Sequence, residues 1–164
     1  AKNLLKKYEF NDDLLSQIYA QLGEYKEAYA LAEQLYELTD NKDYKAKMAI
    51  YKYEFSKTKN IEQIIKLFEE SVYELDNSVY YNYYGYILID HDINIYKGLE
   101  LVLKAYELNS KSPYIIDSVA WGYYKLKRCD EAMEWIDKIT PEYLEQKEFK
   151  AHYNKIKKCI KEKR

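Results

Sequence analysis

VYYNYYGYILIDHDINIYKGLELVLKAYELNSKSPYIIDSVAWGYYKLKRCDEAMEWIDKI, residues 79–139, reads as two successive helical hairpins of one design, with a period of about 34 residues. Each half runs helix, tight turn, helix, short link. The rest of the chain can be laid over this stretch at nearly the same period. The residue after each intra-hairpin turn is Tyr25, Ile61, Ile95 and Cys129; three residues on come Ala28, Ile64, Gly98 and Ala132. Four further on are Ala32, Phe68, Val102 and Ile136, and all three columns step by 36, 34 and 34 residues. Tyr19, Phe55, Leu88 and Tyr123 form a matching column in the first helices. Columns that stay apolar or small over four copies mark an internal repeat, with the one-residue departures absorbed in turns.

Working outward, AKNLLKKY (1–8) reads as the end of a preceding second helix, because Ala1 lies 34 residues before Leu35 in its column. The chain is therefore expected to be cut from a longer one, with an apolar face left open at its start. The first hairpin is expected over 9–42, with Asn11 as N-cap, helices over 12–22 and 25–38, and Gly23 in a left-handed turn. The second spans 43–77 and is the least regular. Its NIEQ start (60–63) looks like a capping box, and Lys52 stands in a column that elsewhere holds Ser16, Gly85 and Ala120. The third and fourth cover 78–111 and 112–140, the latter opening on Ser112–Pro113 as N-cap and first helical residue. Thr140–Pro141 repeats that start signal. A single capping helix is expected over about 141–161, within a terminal segment 141–164, with Phe149, Tyr153, Ile156 and Ile160 at helical spacing.

Composition agrees with a helical reading. Of the 164 residues 48% are hydrophobic and 33% charged, with only 4 Gly and 2 Pro to break helices. The 21 tyrosines suit thin structures in which a ring is buried while its hydroxyl stays wet, although a codon bias toward Tyr, Lys, Asn and Ile produces the same count. Net charge is −2. Residues 141–164 carry eight Lys/Arg against four Asp/Glu, a local +4 that leaves −6 for the first 140 residues. No global field recruits nucleic acid or an anionic membrane. No apolar run approaches the length of a membrane span.

At these columns the chain resembles the tetratricopeptide repeat family. LGEYKEAYALAEQL (22–35) and AWGYYKLKRCDEAMEWIDKI (120–139) carry the resemblance most clearly, in the family's order of aromatic, turn, charged pair and Ala. It covers residues 9–140, is weakest in copy two, and in copies three and four is similar to the tandem found in many bacterial members. It implies an all-α, right-handed α-solenoid of about four stacked hairpins plus a C-terminal capping helix, one domain over 1–164. It also implies a concave groove lined by the first helices, and protein or peptide binding there. An amphipathic hairpin cannot bury its apolar stripe alone, so stacking into a curved array is also the physical expectation.

Helical phase then selects Tyr53, Asn82, Tyr86, Asp117, Trp121, Tyr124 and Lys125 as groove residues. Asn82/Tyr86 and Asp117/Trp121 are i, i+4 pairs at matching places in copies three and four. They offer an aromatic floor with polar groups suited to an extended segment or a helix of another protein. The alternative is that Tyr86 and Trp121 simply pack between neighbouring first helices. Some members of the family clamp a C-terminal carboxylate with Lys, Asn and Arg; here the matching places hold Asp, Tyr and Trp with Lys125 alone basic, which argues against that mode. A competing reading is a structural subunit that uses its convex face or its ends, including self-association through the open N-terminal face. An RNA-reading helical repeat is a remote one, because −6 on the repeats repels phosphate.

Signs of other chemistry are weak. His91 between Asp90 and Asp92 reads as a polar turn, and His152 has no second ligand at i+4. Cys129 and Cys159 form neither a CxxC pair nor a metal spacing, and Cys129 fills an apolar column. No phosphate loop or nucleophile elbow occurs. The expectation is a non-catalytic module without cofactor or metal.

Overall fold

The structure, a computed structural model, describes residues 2–162, with side chains from residue 6 onward. Among the described residues there is no strand. The helices group into two compact units divided between Asp76 and Asn77.

The first unit contains α1 (Lys2–Gln21), α2 (Tyr25–Thr39), α3 (Lys42–Ser56) and α4 (Ile61–Glu69). Helix α1 packs on α2, α2 on α3 and α3 on α4. Two hairpins are thus present, and Gly23 takes φ 79° in the turn between α1 and α2, as its place requires. Asn41 caps α3 by accepting from the Asp43 amide at 3.0 Å. A core between α2 and α3 is built from Ala28, Ala32, Met48 and Tyr51. Ser16, in the small-residue column, donates its hydroxyl to the carbonyl of Ala28 at 2.9 Å, which ties the two helices at their closest columns.

Three expectations need correction here. Residues 2–8 are not a separate helix end, and Asn11 caps nothing: α1 runs unbroken from Lys2 through Gln21. The stretch lacks Pro and Gly, and its acids are used sideways. Glu9 accepts from Tyr44 at 3.2 Å and Asp13 from Lys47 at 2.7 Å, which fastens this part of α1 to α3. The column argument for Ala1 lies outside the described residues. Asn60 makes no side-chain capping bond, because a 3-10 turn over Lys57–Asn60 leads directly into α4.

The second unit contains α5 (Ser78–Asp90), α6 (Ile95–Leu108), α7 (Pro113–Lys125), α8 (Cys129–Ile136), α9 (Pro141–Leu144) and α10 (Lys147–Glu162). Across both units every second helix begins on its column residue, Tyr25, Ile61, Ile95 or Cys129. Asn77 caps α5 through the amides of Val79 and Tyr80, and Asn94 caps α6 through that of Lys97. Helices α5 and α6 approach so closely at Gly85 and Gly98 that a Cβ on Gly85 would stand 2.6 Å from the Gly98 carbonyl oxygen. Ala120 and Ala132 fill the same two columns in the next hairpin and are both buried.

The third correction concerns the cap, which is two helices rather than one. A single turn after Pro141 ends at Leu144, and the chain bends at residues 145–146 before α10. The bend lets both Leu144 and Phe149 reach one core with Ile116, Ala120, Ala132, Ile136, Ile139 and Ile156. Helix α10 packs on α8 and α7.

Candidate interaction face

The second unit carries all the groove candidates except Tyr53. Asn82 and Tyr86 project from α5, Asp117, Trp121, Tyr124 and Lys125 from α7, and a residue absent from that set joins them from α10. His152 Nδ1 is hydrogen-bonded to Asp117 Oδ2 at 2.8 Å, and its ring stacks on Trp121 at 4.0 Å between centroids. The Tyr86 ring lies 6.3 Å from the same imidazole. Tyr124 stacks on Trp121 at 4.7 Å, and the Lys155 ammonium stands 5.1 Å from the Trp121 ring. Trp121 is therefore held between an imidazole and a phenol.

The polar side of the face is equally constrained. Trp121 Nε1 donates to Asp90 Oδ1 at 2.9 Å, and Lys125 donates to the Asp90 carbonyl at 3.1 Å and to both Asp92 carboxylate oxygens at 2.9 Å. The acids that flank His91 in the sequence thus serve to pin α7 to the α5–α6 turn. Lys125 is already spent on this contact, so it is a poor receptor for a partner's carboxylate.

Asp117 and Trp121 are only 7% and 4% exposed, whereas Asn82, Tyr86 and Tyr124 are half-buried. Burial pushes the Asp117 carboxyl above the ordinary carboxylate range; the hydrogen bond and charge of His152 pull the other way, and Glu148 adds to the rise. Two acceptor oxygens on this face, Asn82 Oδ1 and Asp117 Oδ1, are buried without a hydrogen-bond partner. Such oxygens are uncommon in native proteins, because an unmet buried acceptor costs about 1–3 kcal/mol.

Tyr53, the remaining candidate, lies on α3 in the first unit, half-buried, with the Lys57 ammonium 5.0 Å from its ring. His152 is the residue the sequence reading missed. The signal was present: Asn82, Asp117 and His152 are each 35 residues apart, the repeat step itself. Helix α10 thus presents at His152 the residue that a next first helix would present. The polar sequence around it hid this relation.

Cys129, at the start of α8, is joined by a disulfide to Cys159 on α10, with Cα atoms 5.9 Å apart. Among the described residues no group of three or more His, Cys, Asp or Glu is placed to hold a metal ion, and no helix is long and apolar enough to cross a membrane.

Comparison with known proteins supports the tetratricopeptide resemblance. No family model matches the chain. A 70-residue stretch is 33% identical to the TPR repeat-containing protein PA4667 of Pseudomonas aeruginosa. The match takes in 43% of this chain and 12% of that protein, so the chain spans only a small part of its relative's length. Among solved structures, MamA MSR-1 C2 superposes with a TM-score of 0.63 at 18% identity, covering 96% of this chain and 99% of that one. MamA AMB-1 P212121 gives the same TM-score and identity over 93% and 92%. Both are helical solenoids of the tetratricopeptide type, and that is the fold of this chain.

Proposed function

We propose that the protein is a non-catalytic interaction module that binds a segment of another protein on the face formed by α5, α7 and α10. The carrying observation is the pair of buried acceptors, Asn82 Oδ1 and Asp117 Oδ1, one repeat step apart and both without a partner. Both oxygens lie beneath the surface, so backbone N–H groups of an extended segment would meet them as the His152 side of the row gives way, and would fix the ligand's direction. Tyr86 and Tyr124 border the row and offer contact area at little cost in rotamer freedom. The likeness to tetratricopeptide proteins agrees with binding protein rather than nucleic acid. Because Lys125 is paired internally, affinity should fall only mildly with salt.

The test is capture of partners from the source cell with wild-type protein and an Asn82→Ala, Tyr124→Ala double variant. Loss of about 2–4 kcal/mol of partner affinity, as hot-spot truncations commonly produce, with unchanged helix content supports the reading. Equal capture by both proteins overturns it.

A second reading rests on a different surface. Tyr8, Phe10, Leu14, Ile18 and Leu22 form a broad exposed apolar side of α1 and the turn after it, with Phe10 and Leu22 each 68% exposed. Exposed apolar patches of this kind mark association sites. We assign this side to assembly, either with a second copy or with further helical hairpins of a larger complex.

A further inference from the structure

We propose that the Cys129–Cys159 disulfide is a reversible redox latch that holds α10, and with it His152, in the binding row. This deepens the reading of the α5–α7–α10 face and rests on it. Helix α10 supplies the third position of the row, and its hold on the unit is divided between two unlike attachments. One is apolar: Phe149 and Ile156 are buried in the core shared with α7 and α8. The other is covalent, and it lies near the far end of the helix, where the sequence turns to KIKKCIKEKR and offers little else to bury. Around Ile156, the residues at 154, 155, 157 and 158 are all exposed. Without the cross-link the C-terminal half of α10 rests on Ile156 and the half-buried Ile160.

The two sulfurs differ in access. Cys129 is fully buried, whereas Cys159 is half-buried on the outer helix. A thiolate of a dithiol reductant therefore attacks Cys159 Sγ, forming a mixed disulfide as the Cys129–Cys159 bond breaks and its electron pair leaves on Cys129 Sγ. The reductant's second thiolate then displaces Cys159, so that the reductant ends as a cyclic disulfide and both protein sulfurs take up protons. Oxidation by a small disulfide runs the sequence backward. The closed loop spans a sequence separation of 30 and contains α8, α9 and α10 as far as Cys159, so its opening releases local freedom of the cap without untying the α5–α6 hairpin.

The consequence reaches the face through His152. His152 lies between the core anchors Phe149 and Ile156, so its ring leaves Trp121 and its Nδ1 leaves Asp117 when the freed C-terminal half of α10 draws Ile156 from the core. Reduction thus exposes the Asp117 carboxylate and the Trp121 ring and removes the third side chain from the row.

Amide exchange on the whole chain, oxidised and then treated with a dithiol, reads the latch directly and needs no partner. Exchange of residues 152–162 should rise at least tenfold on reduction, that of α5 and α6 should stay within twofold, and a small disulfide should restore the oxidised pattern. A Cys159→Ser variant, which cannot form the bond, should match the reduced protein without treatment. Emission of Trp121, isolated in a Trp135→Phe background, should shift to the red on reduction. Unchanged exchange in α10 overturns the proposal, as does a parallel rise across all helices of the unit, which would make the disulfide a general staple. If α10 opens on reduction as described but the Asn82→Ala, Tyr124→Ala variant captures partners like wild type, the latch stands and the groove reading falls.

Discussion

Asp117 shows how the face was only half legible. Its place as a first-helix residue facing away from the hairpin core follows from helical phase alone. Its burial does not, because the residue that covers it, His152, comes from a segment whose composition reads as a solvated cap. The stacking of Trp121 has the same origin: packing against Ile89 and Tyr86 of α5 follows from neighbouring first helices, whereas the ring laid on it, His152, comes from α10. Burial raises the Asp117 pKa in the folded state, so its contribution to stability is fullest in acid, below the ordinary carboxylate range. That contribution is lost as pH rises through the unfolded value to the raised folded one. Asp117→Asn keeps the shape and removes the buried charge. The variant should be no less stable than wild type at neutral pH, and denaturant titrations from acid to neutral pH should show a flatter dependence. A loss above about 1 kcal/mol at neutral pH would mean that the bond to His152 outweighs the burial cost. Gly85 is the other residue whose role was written in its column. A methyl there meets the Gly98 carbonyl oxygen and Val102 Cγ1 at 2.7 Å or less, so Gly85→Ala should cost about 1–3 kcal/mol in denaturant unfolding.

At the scale of elements, the second-helix starts were readable to within one residue because turn chemistry and apolar columns coincide there. Helix α1 was not, since a good capping sequence at Asn11–Asp13 is overridden by cross-helix bonds from Glu9 and Asp13 to α3. Copy two should be the least stable hairpin. Its second helix, α4, alone among the four is flanked on both sides by 3-10 turns. Lys52 replaces the small residue of the other copies and lays its ammonium over Tyr29, 5.3 Å from the ring centroid. In hydrogen exchange α4 should open more readily than α2, α6 or α8, because repeat stability sums local and neighbour terms. Equal protection of all four second helices would remove this account of the irregular copy.

At the scale of the whole molecule, the repeat period carried the fold, and the likeness to MamA over 96% of the chain agrees with it. The period could not rank the surfaces. Exposed apolar side chains are plentiful on α1, which suits assembly, whereas the α5–α7–α10 face carries unmet acceptors bordered by tyrosines, which suits a bound segment. Phe10→Asp with Leu22→Asp should therefore abolish concentration-dependent association in sedimentation without altering partner capture through the other face. Persistence of association in that variant would move the assembly site elsewhere. The central claim is that partners are read on the α5–α7–α10 face, and site-specific photo-crosslinking in the source cell tests it most directly. A photoreactive residue in place of Tyr124 should give partner adducts, and one in place of Tyr96, 73% exposed on α6, should give none. Adducts from position 96 with none from position 124 would contradict the account and transfer partner binding to the second-helix side of the hairpins.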